Sequence, residues 1–441
     1  MKKRKLSIQK IFNVVSFVFL LTCCIFYGGR FIKLYLENKE KVVFEANTLA
    51  KNLKENNNNL KKINNEYYFT GEVNNNYVSY SGILWRVVKI GENNVITLIS
   101  DNSLTSLAFG KDKSYEESYI NSWLNENENE LSGILETNLN SKVGYLKQAD
   151  LCTDKIDSIN GNLCNNISNE YFITLLSVND YINIGASNSF INNSEYFYLS
   201  NTTSDNKVWY VNSSGKVDTS DGNDIYGVKP VIKFKENLNL VSGNGSKENP
   251  YIIETNFGMF GSYVELDGDI WRVIDVKDDT LKLMSNDYMK SGEDIVSYKY
   301  SNYSSYHNDT KYGTLAYYMN KTFLDSLSYK DLVIETDYAN GYYGSETNYD
   351  YSNTLKTTIK TKVASVSIGD IILNHELGNY FTLTTSAKNN NFIYTIQKDS
   401  IPYSKIISSA NYVVPVITIN KDSVQGKGTI NEPLKAVTNN E

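Results

Sequence analysis

Residues that could perform catalysis or bind a metal are scarce in this chain of 441 residues, which contains two histidines, His307 and His375. A zinc site or a Ser-His-Asp triad requires a histidine beside its partners. The sequence contains no H-E-x-x-H, G-x-S-x-G or P-loop motif. We interpret His375, within NHELGNY, as a polar surface residue. We expect a protein that is not an enzyme and that uses no cofactor and no metal ion.

The four cysteines form two classes. Cys23 and Cys24 lie in an apolar run and are interpreted as small residues buried in a membrane. Cys152 and Cys164 enclose a turn-rich segment, and a disulfide closing a loop of this size stabilises a fold by roughly 3 kcal/mol. The alternative is a pair of free thiols. A zinc site is disfavoured because no third or fourth ligand lies nearby.

A dense group of oxygen donors lies at residues 218–224, DTSDGND. Calcium sites use such donors, but the spacing does not fit the 12-residue calcium loop, and no bidentate Glu follows in the required place. We interpret this segment as a polar turn.

Tyrosines are concentrated on both sides of a helix predicted near Thr314–Asp325. Their neighbours are Ser, Asn and Gly, so several rings are expected to be exposed, and exposed aromatic residues among adaptable polar ones are typical of a binding surface. General enrichment of the chain in tyrosine is the alternative explanation. The residues predicted to form the binding surface are Tyr303, Tyr306, Tyr342 and Tyr343.

The elements that would position these residues occur twice. Tyr77–Val88 (YVSYSGILWRVV) resembles Tyr263–Ile274 (YVELDGDIWRVI), and Gly227–Phe234 (GVKPVIKF) resembles Tyr412–Ile419 (YVVPVITI). GNGSKENP and GKGTINEP form a third pair. Because the copies lie about 185 residues apart, they predict a duplicated globular domain rather than a solenoid.

Each copy has many short β-rich runs, separated by turn residues, and one or two helices. This pattern predicts the α+β class, with an antiparallel sheet in each copy. We assign residues 66–255 to the first repeat domain, 256–437 to the second and 438–441 to a tail. In each Trp-Arg strand we expect the tryptophan (Trp85, Trp271) in the core and the arginine (Arg86, Arg272) hydrogen-bonded to a carboxylate or carbonyl group.

The N-terminus predicts a membrane anchor. Residues 1–10 carry five positive charges and no negative one, and residues 11–29 form an uncharged apolar run. About 20 such residues span a bilayer as a helix, and the charge bias keeps the basic end in the cytoplasm. A cleaved signal peptide is the alternative, although no A-x-A pattern ends the run. A lipidated Cys23 or Cys24 is a third interpretation.

Residues 30–65 are predicted to form a short helical stalk. Val42, Val43, Ala46, Leu49, Ala50 and Leu53 recur at helical spacing. This stripe could rest on the chain's own first domain or mediate a weak homodimer.

The charge of the chain argues against one class of partner. The formal net charge is −7 although the N-terminus is basic. Nucleic-acid binding requires a basic surface, so we expect no nucleic-acid partner.

The order YVSYSGILWRVVKI, YINSWLN, LLSVNDYI, NKVWYVNSSGKV, GVKPVIKF and GNGSKENPYII resembles a domain of unknown function. That domain is repeated in many surface and membrane-anchored proteins of low-GC Gram-positive bacteria. The resemblance spans about Tyr67–Ile253. It covers the second copy more thinly, where Trp123 and Trp209 are replaced by Tyr318 and Ile393. The family is distantly similar to C-type-lectin-like and sulfatase-modifying-factor folds, which implies a Trp-rich mixed core but assigns no activity. Sulfatase-modifying enzymes use a reactive cysteine, and neither Cys152 nor Cys164 has a counterpart in the second copy.

These observations favour a single-pass membrane protein with extracellular, non-catalytic binding domains. Surface recognition or adhesion, with a glycan or protein ligand, is the first hypothesis. An envelope scaffold that holds partner proteins at the membrane is the second, and an extracellular enzyme is the least favoured.

The charge bias makes a prediction about topology. Protease added to intact cells should remove everything beyond about residue 35, because the bias places the long C-terminal part outside. Immunoblotting against both ends of the chain measures this, with a cytosolic protein as the control for lysis. Full protection of the region around Trp85 would contradict the orientation.

Overall fold

The structure is a computed structural model that describes residues 47–110, 114–125, 133–139, 144–159, 164–253, 258–305, 307–340, 358–386, 390–399 and 401–437. The predicted basic segment 1–10, membrane segment 11–29 and tail 438–441 lie outside these residues. Within the described ranges, no helix has the length and apolar character needed to cross a bilayer. The chain from Thr48 onward forms one compact unit.

Residues 48–253, called the first half, are rich in β-strands and contain a few short helices. The helices are α1 (Leu49–Glu55), α2 (Tyr119–Leu124), α3 (Ile134–Leu139) and α4 (Val178–Asn183), with single 3-10 turns at Glu92–Asn94 and Ala186–Asn188. The strands are β1 (Leu60–Ile63), β2 (Glu66–Phe69), β3 (Tyr77–Tyr80), β4 (Ile83–Ile90), β5 (Ile96–Ser100), β6 (Thr105–Ala108), β7 (Leu146–Lys147), β8 (Leu151–Cys152), β9 (Ile167–Ser168), β10 (Ile173–Leu175), β11 (Phe197–Thr202), β12 (Val208–Val211), β13 (Val217–Ser220), β14 (Ile225–Val228), β15 (Pro230–Phe234), β16 (Leu240–Ser242) and β17 (Tyr251–Ile253).

Residues 258–437, called the second half, have the same character. One helix runs as α5 (Leu315–Tyr317), a π-helical segment (Tyr318–Phe323) and α6 (Leu324–Ser326), and 3-10 turns lie at Lys330–Leu332 and Lys421–Ser423. The strands are β18 (Tyr263–Leu266), β19 (Asp269–Lys277), β20 (Thr280–Ser285), β21 (Lys290–Ser291), β22 (Asp294–Ile295), β23 (Ser297–Lys299), β24 (Thr336–Ala339), β25 (Thr358–Thr361), β26 (Val363–Ala364), β27 (Tyr380–Thr385), β28 (Phe392–Ile396), β29 (Tyr403–Ile406), β30 (Ala410–Tyr412), β31 (Val416–Asn420), β32 (Val424–Gln425) and β33 (Leu434–Ala436).

The two halves share their strand order. The large sheet of the first half runs β10-β15-β5-β4-β3-β17-β16, with β1, β2 and β7 attached, and that of the second half runs β26-β31-β20-β19-β18-β33-β32. The smaller sheets run β13-β12-β11-β14-β6 and β29-β28-β27-β30-β23. The β-rich α+β class predicted from the sequence is therefore present, and both halves have the topology expected of two copies of one domain.

Local details of the two halves also match. The first Trp-Arg hairpin turns at Ser81-Gly82 and the second at Asp267-Gly268, and all four residues have the positive φ that a two-residue type I′ turn requires. The next strand pairs also shift register at equivalent positions, β4 with β5 between Val87 and Lys89 and β19 with β20 between Val273 and Asp275.

One asparagine in each half, Asn125 at the end of α2 and Asn320 within the helix Leu315–Ser326, makes the same contact with a strand. The Asn125 side chain donates to Ile173 O at 2.8 Å and accepts from Ile173 N at 3.0 Å. Asn320 makes the same pair of hydrogen bonds with Val363, at 2.8 and 2.9 Å. Because Asn125 and Asn320 are equivalent, Trp123 of the first half corresponds to Tyr318 of the second, as the sequence predicts. On the neighbouring strands the register places Tyr394, rather than Ile393, at the position of Trp209.

Because successive side chains of a strand point to opposite faces, a hydrophobic core forms on each face of the large sheets. Trp85 and Val87 pack with the helices in one cluster, whereas Val88 packs with α4 and the smaller sheet in another. In the second half, Trp271 likewise belongs to one hydrophobic cluster and Ile274 to another. Both tryptophans are at most 1% exposed, which confirms their predicted place in the core.

The predicted helical stalk is wrong in its C-terminal part. Only Leu49–Glu55 is helical among its described residues, and Leu60–Ile63 is a strand that pairs with β2. Leu49 and Leu53 are buried in the core of the first half, so this part of the apolar stripe rests on the chain's own domain. Val42, Val43 and Ala46 lie outside the described residues, and the homodimer stays a prediction.

The guanidinium group of Arg272 joins the two halves. Its Nε donates to Gly261 O at 2.7 Å, and Nη2 donates to Gly82 O at the hairpin turn of the first half. The group also lies 4.0 Å from the centre of the Tyr263 ring. The Gly82 and Gly261 backbones touch here: a Cβ added to Gly82 would lie 2.4 Å from Gly261 Cα.

A second set of contacts lies at the loop that follows β26. Trp123 Nε1 donates to Gly369 O at 2.7 Å, and Gly369 N donates to Thr105 Oγ1 at 3.2 Å. Ile372 N donates to Leu104 O at 2.7 Å. The described halves are therefore joined through buried backbone groups as well as side chains.

The close approach at Gly82 yields a matched pair of variants. Gly82→Ala and Gly268→Ala both place a Cβ at positive φ, which costs roughly 1–2 kcal/mol. Only Gly82→Ala also meets backbone, because nothing lies within 4 Å of a Cβ at Gly268. We expect Gly82→Ala to lower the free energy of unfolding by a further 1–3 kcal/mol or so, measured by urea denaturation of the purified chain. Equal losses for the two variants would contradict the tight junction.

Candidate functional site

A polar cleft lies between the two halves. Its volume is about 220 Å³, which is room for roughly seven water molecules at about 30 Å³ each. The first half contributes Asn102, Ser103, Thr105, Ser106, Asn193 and Glu195. The second half contributes residues from two loops, among them His375, Glu376, Gln397 and Lys398.

The fold positions these residues through the junction described above. Asn102 and Ser103 follow β5, and Asn193 and Glu195 precede β11. The facing loop, 365–377, is fixed by its hydrogen bonds to Leu104 and Thr105. Both walls of the cleft are therefore held by ordered backbone, and such pre-formed sites favour binding.

A buried lysine lies behind the cleft wall. Lys229 is 0% exposed, and its Nζ lies 3.2 Å from Glu195 Oε2 and 3.1 Å from Asn193 Oδ1. The ammonium group also donates to the backbone oxygens of Asp101, at 2.9 Å, and Ile191, at 3.0 Å. These acceptors offset much of the cost of burying a charge.

The Glu195 carboxylate, 6% exposed, is held from a second direction. Its Oε2 accepts hydrogen bonds from Ser103 N and Ser103 Oγ, both at 3.1 Å. Ser194, directly before it, has a φ of 66°. This left-handed residue reverses the chain, so Asn193 and Glu195 both face Lys229.

Arg86, next to this cluster, has the structural role that the sequence predicts. Its guanidinium group donates to Asn76 Oδ1 at 2.7 Å and Tyr77 OH at 2.9 Å, and pairs with Asp101 Oδ1 at 3.3 Å. The group is 3.8 Å from the centre of the Tyr77 ring. Burial lowers the pKa of Arg86 from its usual value, and Tyr77 and Asp101 oppose that shift.

His375 lines the cleft and is half-buried, so the predicted surface position is wrong. Burial lowers its pKa to about 4; Lys229 and Arg272 act in the same direction, and Glu195 and Asp101 oppose them. The ring is therefore neutral at pH 7. Sequence analysis could not place His375 here, because its loop meets the first half through contacts between residues far apart in the chain.

The other histidine is not part of the cleft. His307 is half-buried, and its Nε2 has no hydrogen-bond partner among the described residues. Burial lowers its pKa to about 4, and only nearby Asp309 acts against the shift.

The structure contains the predicted disulfide between Cys152 and Cys164, whose Cα atoms are 5.8 Å apart. Asp154 lies near both sulfurs. A cysteine binds a metal as a thiolate, so the bonded pair offers no such ligand. Hydrogen bonds from Asn165 and Asn166 lower the pKa of the Asp154 carboxyl group.

The predicted tyrosine surface is only partly described. Tyr303 is 55% exposed, and Lys311 Nζ lies 3.5 Å from the centre of its ring. Tyr306, Tyr342 and Tyr343 lie outside the described residues. Two neighbours in the same Tyr-rich segments, Tyr300 and Tyr338, are buried core residues.

A different tyrosine cluster, which sequence analysis missed, lies on the smaller sheet of the first half. The ring centres of Tyr210 and Tyr226 are 4.6 Å apart, and those of Tyr196 and Tyr226 are 5.6 Å apart. All three rings are partly exposed, and Tyr196 directly follows Glu195 of the cleft. The strand register places Thr395 and Asn411 at the positions of Tyr210 and Tyr226 in the second half. A comparison of the two copies strand by strand could have found this difference.

Residues 218–224 form no closed loop of donors. Asp218 lies on β13, and its carboxylate accepts from Thr219 N at 2.8 Å. Only the following residues form a turn, whose Asp224 O accepts from Tyr198 OH at 2.7 Å.

Comparison of the chain with protein-family models, with curated proteins and with solved structures finds no match. The resemblance to a repeated surface domain, and through it to C-type-lectin-like folds, stays a prediction.

The two histidines make stability depend on pH. Histidine titrates near 6.5 in an unfolded chain but at about 4 in this fold, so the unfolded state binds more protons between these values. Stability should therefore fall as the pH drops from about 6.5 towards 4, by an amount on the order of 1–3 kcal/mol for each histidine.

Urea denaturation at pH 7, 6 and 5 measures this effect. The double variant His307→Gln/His375→Gln should show a flatter dependence over this range, since the carboxyl groups titrate mainly below it. The same slope in both proteins would contradict the assignment.

Proposed function

We propose that this chain is a membrane-anchored extracellular protein that binds a glycan in the cleft between its two halves, without catalysing a reaction. The single observation that carries the proposal is the cleft itself. It is pre-formed, it draws side chains from both halves, and it is lined mainly by hydrogen-bonding groups.

The chemistry of the cleft favours a hydroxyl-rich ligand. Asn102, Glu376 and Gln397 together offer both donors and acceptors, and sugar hydroxyl groups require both. A volume of about 220 Å³ suits one sugar residue rather than a long segment of chain.

Export and anchoring rest on the sequence together with one structural feature. The uncharged run 11–29 and the basic residues before it favour a membrane span. The Cys152–Cys164 disulfide is typical of a compartment outside the cytoplasm.

A non-catalytic role is supported by the state of the buried carboxylate of the cleft, Glu195. Glu195 is already engaged by Ser103 and Lys229. Turnover of a bound ligand would require an acid, base or nucleophile that is free for each cycle.

The purified full chain in detergent can be tested on an immobilised glycan array that contains cell-wall and host-type glycans. The cleft variant Glu376→Ala/Gln397→Ala should weaken binding at least tenfold, about 1.4 kcal/mol, with an unchanged melting temperature. Both side chains are at least partly exposed, so their loss should not disturb the core.

A matched control separates this cleft from the tyrosine surface predicted from the sequence. Replacing Tyr303, Tyr306, Tyr342 and Tyr343 together with Ser should leave glycan binding unchanged. Loss of binding in this variant alone would move the site to that surface. Absence of binding to any glycan, with recovery of a defined envelope protein in cross-linked cells, would favour the scaffold function instead.

A further inference from the structure

Lys229, behind the cleft wall, meets two residues of that wall, Asn193 and Glu195, and the three side chains can react with one another. The primary amine of Lys229 lies 3.1 Å from the carboxamide oxygen of Asn193 and 3.2 Å from the carboxylate of Glu195. An amine, an amide carbonyl and a proton carrier are the components of an amide-exchange reaction. We propose that Lys229 and Asn193 become joined by an intramolecular amide bond, and that Glu195 transfers the protons. This inference is independent of the proposed glycan binding.

The fold holds the Lys229 amine against the side-chain amide of Asn193. Lys229 is fully buried and directly precedes Pro230, and the residue before a proline is restricted to extended backbone. Hydrogen bonds to Asp101 O and Ile191 O fix the position of Nζ. The reacting atoms are thereby held close together. Much of the entropy that two separate molecules lose when they meet has therefore already been lost on folding.

The carboxamide group of Asn193 is held by hydrogen bonds of its own. Asn193 Nδ2 donates to Asn102 Oδ1 at 2.9 Å and to Asp101 O at 3.2 Å. These bonds fix the orientation of the carboxamide group, and its carbon is one bond from the oxygen that Nζ already contacts. Ser194, with its left-handed φ of 66°, creates this turn. Backbone strain of this kind is often found at functional sites.

Glu195 is placed to move the protons. Its carboxylate is 6% exposed and lies within contact of Nζ. Burying two opposite charges is costly, and proton transfer from the ammonium group to the carboxylate relieves that cost by giving a neutral pair. The neutral amine is the nucleophilic form. The Phe197 ring, 5.0 Å from Nζ, keeps one side of the amine away from water.

The reaction balances without another reagent. Glu195 takes one proton from the Lys229 ammonium group, and the amine then attacks Asn193 Cγ, so that an Nζ–Cγ bond forms. Glu195 delivers its proton to Nδ2, the Cγ–Nδ2 bond breaks, and the second amine proton leaves with the nitrogen. The products are a secondary amide, the regenerated Glu195 carboxylate and one ammonium ion, so the neutral chain loses the mass of one ammonia molecule. Asn193 and Glu195 both line the cleft, which provides a route for the ammonium ion to leave.

The second half offers an internal control because it lacks the components. Val414 occupies the position of Lys229 in the repeated motif. The cross-link would therefore be a property of the first half only.

The test is the intact mass of the full chain, purified from cells and weighed after reduction of the Cys152–Cys164 disulfide. The mass should be lower than the sequence requires by one ammonia molecule. Peptide mapping should recover one branched peptide that contains both Asn193 and Lys229. The unmodified mass for the folded wild-type protein would overturn the proposal, whatever the variants do.

Two variants assign the roles. Lys229→Met and Glu195→Gln should both restore the full mass, the first because it removes the nucleophile and the second because it removes the proton carrier. Succinimide formation at Asn193 also releases ammonia, but it gives no branched peptide and survives Lys229→Met, so persistence of the mass loss in that variant would contradict the cross-link. If a variant fails to fold, the wild-type peptide map still decides.

Discussion

Arg272 is the constraint on which the arrangement of the two halves depends. Its guanidinium group satisfies the carbonyl oxygens of Gly82 and Gly261 at a point where the two backbones touch. A buried carbonyl without a donor is costly, and two glycines are needed for the approach. The close approach of the two backbones and the bonds of Arg272 therefore restrict how the two halves can be arranged. A hinge at this place would break the bonds that hold the walls of the cleft.

Regular patterns made much of the fold predictable. The paired Trp-Arg hairpins, the helix near Thr314 and the disulfide between Cys152 and Cys164 are local features or repeated ones, and the structure contains all of them. The stalk prediction failed at Leu60–Ile63 because pairing with β2 outweighed the weak helical periodicity there. Contacts such as Trp123 to Gly369 join residues 246 positions apart. No local pattern encodes them, and the cleft that they create could not be predicted.

Lys229 is a difference between the two copies that a comparison position by position reveals. Among the differences between GVKPVIKF and YVVPVITI, one places a lysine where the second copy has a valine, at a position buried in both copies. A charge at a buried position must find partners. Lys229 finds them in Asn193, Glu195 and two backbone oxygens. A polar residue gained by one copy at a core position is therefore a better guide to a special site than the total number of histidines or tyrosines.

The junction between the halves also bears on how many copies a chain of this kind can carry. The first half contributes its hairpin turn and Trp123, whereas the second half contributes Gly261, Arg272 and the loop at Gly369. Two unlike surfaces meet, which is a head-to-tail contact, and such contacts do not close on themselves after two units. The turn at Gly268, equivalent to Gly82, has open space around it. The interface thus sets the direction in which the two halves follow each other, and the turn at Gly268 takes no part in it.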